Sequence, residues 1–196
     1  MSIDIGRALR DGVSRTAAKN GLIVAAIFAG IALLTTVLMQ SLAVAGVELI
    51  LETCQSLSPQ EIGVEQAEYD QALAEFETAR EDVRSTAALA LEIPVGIAIP
   101  GLILLGLLGE AAAIVAVRVF ATEQTETIPR ELVTDNIILA TLNGVVGKII
   151  VVVLILLGLA LLVLPGIILA VLFFFLRQEI AINDKNFVQA MADSWR

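Results

Sequence analysis

Residues 149–176 read IIVVVLILLGLALLVLPGIILAVLFFFL, twenty-eight positions without a single charge. A helix needs about 17–25 predominantly apolar residues to cross a hydrocarbon core, so this stretch belongs in lipid. Residues 20–47 and 93–109 are also free of charge and approach or exceed the same length. Composition agrees: 58% of the chain is hydrophobic, 17% is charged and the mean hydropathy is +0.89, whereas a soluble domain carries roughly half and a quarter. The fold class this implies is all-α, a polytopic transmembrane bundle of about four spans, with an extramembrane helical hairpin between spans 1 and 2.

The count of four rests on Leu164, Pro165 and Gly166, which lie near the middle of the long apolar run and fit a tight turn. The turn would divide the run into spans at residues 148–164 and 167–182; a single kinked helix is the alternative. Charge decides between them. With four spans and the N-terminus inside, ten Lys and Arg face the cytoplasm, and only Arg80 and Arg84 lie outside. A single kinked helix gives seven against five, a much weaker match to the positive-inside rule. Both termini are therefore expected in the cytoplasm of a multi-pass cell-membrane protein.

Working outward, residues 1–19 place Ile5, Leu9, Val13 and Ala17 at four-residue steps among Arg7, Arg10, Arg15 and Lys19. Such a segment is either an amphipathic helix along the membrane surface or a simple cytoplasmic tail of topogenic charge. Residues 20–46 form span 1, too long an apolar run for the core of a signal peptide. Residues 47–92 form the acidic outer hairpin. Its first arm carries Val47, Ile50, Leu51, Cys54 and Leu57 on one stripe. Ser58-Pro59-Gln60-Glu61 reads as a capping box that starts a new helix, and the second arm offers Tyr69, Leu73, Phe76 and Val83. The two stripes are expected to cover each other, with Cys54 a buried thiol. Residues 93–117 form span 2, 118–147 a cytoplasmic connector with a short helix, and 183–196 a C-terminal helix. Asp184 is a candidate cap there, and Trp195 suits the interface.

The net charge is −9 and only three of the twelve cations are Lys. Acidic excess with few Lys is similar to proteins of extreme halophiles, in which carboxylates hold hydration at high salt; an ordinary acidic outer loop is the other reading. Nucleic-acid binding is disfavoured, because phosphate recognition calls for the opposite sign. One Cys and no His exclude intrachain disulfides and Cys/His zinc sites. No cofactor, metal or catalytic residues are indicated. Partners are expected to be the bilayer and a second copy of the chain or other membrane proteins.

Val163-Leu164-Pro165-Gly166-Ile167, with the closing Ala190-Met191-Ala192-Asp193-Ser194-Trp195 and the N-terminal Ala8-Leu9-Arg10-Asp11-Gly12-Val13 and Lys19-Asn20-Gly21-Leu22, forms a pattern across both ends of the chain. It resembles the glycerophosphoryl diester phosphodiesterase membrane-domain family and related uncharacterised halophile membrane proteins. The resemblance implies a helical membrane module and does not bring phosphodiesterase chemistry, since that family's catalytic barrel and its metal-binding residues have no counterpart in this sequence. Relatives tend to continue with further spans, so the chain reads as a short member or a fragment.

Glu110, between Gly109 and Ala111 in span 2, is the foremost candidate site residue. An ionisable group in a membrane is costly enough to imply a role, either as a proton or cation site or as the partner of Arg118 or Lys148 in an intramembrane ion pair. Two functions follow as expectations. The first is a membrane scaffold or assembly partner without catalytic activity, and the second is a small transporter or channel subunit that uses Glu110.

Overall fold

The computed structural model describes residues 5–122, 126–161, 163–174 and 176–194. Every regular element among them is helical: α1 (Ile5–Ala17), α2 (Lys19–Ser56), α3 (Pro59–Ile62), α4 (Gln66–Thr86), α5 (Val95–Ala121), α6 (Arg130–Thr134), α7 (Ile137–Leu161), α8 (Val163–Leu172), α9 (Leu176–Asn183) and α10 (Phe187–Ser194). Three segments are long and apolar enough to cross a membrane: α2, α5 and Ile137–Leu159 of α7. The chain divides into two compact units, Met1–Ala29 with Leu107–Arg196, and Gly30–Gly106.

In the Gly30–Gly106 unit, α2 continues past its apolar run to Ser56 without a break, as its stripe predicts. The chain then turns through the expected capping box. Ser58 caps α3, Pro59 takes its first turn where a missing N–H costs nothing, and the Glu61 carboxylate accepts the Ser58 N–H at 2.8 Å. Gly63 ends α3 at φ 72, a left-handed conformation that glycine adopts without steric cost. The second arm was expected to stay helical to residue 92, but α4 stops at Thr86. The following turn and irregular stretch is held instead by α2 side chains: the Leu89 N–H donates to Gln40 Oε1 at 2.8 Å, and the Leu91 N–H donates to Ser41 Oγ at 2.9 Å. Ser41 is buried and its hydroxyl donates in turn to Val37 O. Local helix propensity loses here to side-chain acceptors that satisfy the backbone in another conformation.

In the other unit, α7 and α8 pack as an antiparallel pair. Val151, Phe173, Leu176 and Ile180 form the core with Ile114, Ala140, Ala181 and Ala190, and Leu154, Ile155 and Leu169 close it. Two expectations are corrected. Leu164, Pro165 and Gly166 do not form a tight turn; they lie in the first turns of α8, where a helix has no intrahelical use for the N–H that proline lacks. Gly147 of α7 instead lies against Leu176 of α9. Nor is residues 167–182 one helix, because α8 ends at Leu172 and α9 begins at Leu176.

The connector is shorter than 118–147. Helix α5 runs on to Ala121, and α7 starts at Ile137, well before Lys148. Asn143, Gly144 and Gly147 lie within α7, and each of the two glycines meets a close neighbour. A Cβ built on Gly144 would lie 2.9 Å from Glu110 Oε1, and one on Gly147 would lie 3.1 Å from Leu176 Cδ2. Glycine serves close approach at these positions.

Candidate functional site: buried charges in the Leu107–Arg196 unit

Glu110 sits on α5 with only 5% of its side chain exposed. Arg177, the second residue of α9, meets it edge to edge: Nε donates to Oε1 and Nη2 to Oε2, both at 3.0 Å. This bidentate fork is the strongest geometry a carboxylate and a guanidinium can adopt. Lys148 on α7 places Nζ 3.8 Å from Oε2, within Coulombic reach but too far for a hydrogen bond. The expected pairing of Glu110 with Lys148 is therefore present in loose form, and the principal partner, Arg177, is a residue that sequence reasoning missed.

Arg118 is not a partner of Glu110, which corrects that part of the expected cluster. Two turns further along α5, it serves a second centre. Its side chain is 8% exposed; Nε donates to Ala181 O at 2.8 Å, Nη1 to Asp135 O at 2.7 Å and Leu132 O at 3.4 Å, and Nη2 to Asp184 Oδ1 at 2.8 Å. Leu132 and Ala181 lie in the last turns of α6 and α9, whose final carbonyls have no intrahelical donor. Arg118 thus closes the C-terminal ends of two short helices, where a cation is also favoured by the helix dipole. Asp184, expected as a helix cap, adopts φ 48 and turns toward Arg118. The N-terminal turn of α10 is held by Asn186, whose Oδ1 accepts the Gln189 N–H.

A third cation repeats the device. Arg15 of α1 donates to Phe120 O at 2.9 Å and Thr122 O at 2.7 Å, at the C-terminal end of α5. Asn20 adds a bond to Thr127 O at 3.0 Å. The N-terminal cations thus act partly as helix-end donors, a role beyond the expected headgroup contact. Beyond α9, Lys185 bridges Asp193 at 2.7 Å and Glu179 at 2.5 Å. Hydrogen bonds that it donates first to Asp193 and then to Glu179 push its ammonium above the usual lysine range. Phe187, Ala190, Met191 and Ser194 share the α10 face as expected, with Ala190 fully buried; Trp195 lies outside the described residues.

The hairpin residues fall in the Gly30–Gly106 unit. Leu51 is buried, and Val47, Cys54, Tyr69, Leu73 and Val83 are half-buried. The Tyr69 hydroxyl donates to Cys54 O at 3.0 Å, and Glu48 takes an ion pair from Arg84 and a longer one from Arg80 at 3.9 Å. The two arms do face each other, but the seam is incomplete. Ile50 and Leu57 are exposed and Phe76 keeps 39% of its surface, because a cleft of about 250 Å³ lies among Cys54, Leu57, Tyr69 and Phe76. Expecting full mutual cover overestimated the fit of the two stripes.

The chain belongs to the family described as a domain of unknown function, DUF7847, which it matches over residues 3–196. Searches of curated proteins and of solved structures return no match.

Proposed function

We propose that this DUF7847 member is an integral membrane protein of non-catalytic, scaffolding character, in which buried cations fasten helix ends into a fixed platform. The observation that carries this reading is an inverted distribution of polarity. The most apolar windows of the three long helices bury only 6%, 33% and 22% of their residues, with Leu33, Ile103 and Leu156 exposed. Asn20, Ser41, Glu110 and Arg118 are buried. A monomer in water rarely exposes contiguous apolar surface beyond a few hundred Å², whereas lipid demands this arrangement.

The α7–α8 hairpin enters this reading as an excursion into the bilayer. At 1.5 Å per residue the whole of α7, Ile137–Leu161, is about 38 Å long, enough for about 30 Å of hydrocarbon, and its part beyond Lys148 is about 21 Å. Both arms start at charged residues, Lys148 and Arg177, so the hairpin begins and ends on one face. The cytoplasmic assignment of both termini and the ten-to-two cation split are unaffected by whether it reaches the far side.

The scaffold reading is preferred to transport because both oxygens of Glu110 are committed to one guanidinium. A carboxylate that carries ions must release its partners in each cycle. Cysteine labelling on a Cys54→Ala background tests the topology: Arg10→Cys and Asp184→Cys should react only from the cytoplasmic side and Glu75→Cys only from outside. Labelling of Asp184→Cys from outside alone would refute the arrangement. Ion flux in reconstituted vesicles that disappears in Glu110→Gln would replace the scaffold with the transport reading.

A further inference from the structure

The Glu110 cluster carries unequal charge. One carboxylate faces two cations, and Arg177 alone satisfies both of its oxygens. Lys148 therefore retains three donors that Glu110 does not accept, on a side chain that is 63% exposed. Beside it opens a cleft of about 340 Å³ whose wall includes Lys148, Arg177, Val152, Phe173 and Phe174. Arg177 is 41% exposed, and its Nη1 meets no acceptor among the described residues. The cleft thus has a cationic end and an apolar flank, with Val152 and Phe174 exposed along it.

We propose that this cleft binds the phosphate of an anionic phospholipid, with Lys148 and the free edge of Arg177 on the headgroup and an acyl chain along Val152 and Phe174. The inference rests on the membrane reading and adds the ligand class of its charged cluster. Its physical basis is that an ammonium beside hydrocarbon needs an anion, and Glu110, the one carboxylate paired with Lys148 among the described residues, is already neutralised by Arg177. A lipid supplies phosphate and chain in the same relative positions as the cationic and apolar parts of the cleft. Each Lys near an anionic surface contributes about 1 kcal/mol, which corresponds to about a fivefold change in affinity.

Native mass spectrometry of the full chain in detergent, titrated with phosphatidylglycerol or phosphatidylcholine of matched chains, tests the site. The wild type should retain phosphatidylglycerol preferentially. Lys148→Gln should weaken that retention about fivefold and Lys148→Arg should restore it, while circular dichroism shows all three folded alike. Equal retention of the two lipids, or a preference unchanged in Lys148→Gln, overturns the proposal. Displacement of the lipid by millimolar inorganic phosphate would also overturn it, since the site would then recognise the free ion. Alkaline carbonate extraction separates this outcome from failure of the membrane reading: a chain that stays with membranes but shows no lipid preference refutes only the site.

Discussion

Arg118→Met removes a guanidinium that serves four acceptors, and the acceptors differ in what they lose. Ala181 is buried, so its carbonyl would remain without water, at a cost of about 1–3 kcal/mol. Asp135 is exposed and the Asp184 side chain half exposed. Water can replace the arginine at both, leaving roughly 1 kcal/mol each, a discount that solvent screening requires for the ion pair. The 3.4 Å contact to Leu132 O is near the geometric limit and adds little. The loss is then about 3–5 kcal/mol, and at about 2–4 °C per kcal/mol for a chain of this size the midpoint of thermal unfolding in detergent should fall by roughly 6–20 °C. Arg118→Lys should recover only part of this, because one ammonium cannot reproduce a planar fork directed at acceptors on different elements. Asp184→Asn should shift the midpoint by a degree or two at most. A fall below about 2 °C for Arg118→Met, or full recovery with Lys, would refute the idea that this side chain holds α6 and α9 in place.

Gly21→Ala would place a Cβ 2.2 Å from Thr16 O and 2.6 Å from Arg15 O; both are backbone atoms, so the α1–α2 joint must open. Hydrogen exchange in residues 10–18 should accelerate as Arg15 loses its carbonyls, and unchanged protection would contradict this. Phe76→Ala should cost about 2 kcal/mol, less than the roughly 3–5 for a fully buried ring, and should speed maleimide labelling of Cys54; rapid labelling already in the wild type would mean that the cleft is open. The Glu61 carboxyl is held below the usual carboxylate range by the Ser58 backbone N–H and then by its hydroxyl. A lowered folded-state pKa gives stability that is present above about pH 4.3 and is lost as pH falls through the folded value. The difference in midpoint between wild type and Glu61→Gln should therefore shrink from pH 6 to pH 3, and a constant difference would remove the carboxylate from the cap.

The hairpin start was the most legible feature, because a capping box is a local agreement among Ser58, Pro59 and Glu61 that needs no tertiary information. The apolar runs of α2 and α5 were equally visible, since charge-free length is also a local property, whereas the start of α7 at Ile137 was hidden by Lys148 inside the helix. Partner choice inside the bundle was not. A reversal centred on Pro165-Gly166 would set Lys148 opposite residue 183, and Arg177 would then lie far from Glu110. The observed register sets Gly147 against Leu176, bringing Arg177 level with Lys148. Antiparallel register is sensitive to the turn position, because each residue of displacement there moves the facing residue by two. The glycines at 144 and 147 were the signal available: small residues one turn apart mark where another chain segment approaches closely.

The cations of the Leu107–Arg196 unit share a logic that the charge count alone does not reveal. Positive charge near a membrane is normally explained by topology, since Lys and Arg are retained on the cytoplasmic side. Arg15 and Arg118 do more, because each donates to main-chain carbonyls at helix ends. In water such carbonyls would cost little, and capping by arginine would be one option among several. Where they are buried, as at Ala181, they must find protein donors, and arginine provides up to five on one planar group. The use of Arg at nine of twelve cationic positions then has a structural reason besides surface charge. Substituting lysine throughout would preserve the topogenic signal while leaving helix ends unsatisfied. Such a variant should still insert with the same orientation, as read by labelling at residues 10 and 184, but should unfold at lower temperature and exchange its α6 and α9 amides faster. Retained stability would return the arginines to a purely topogenic role.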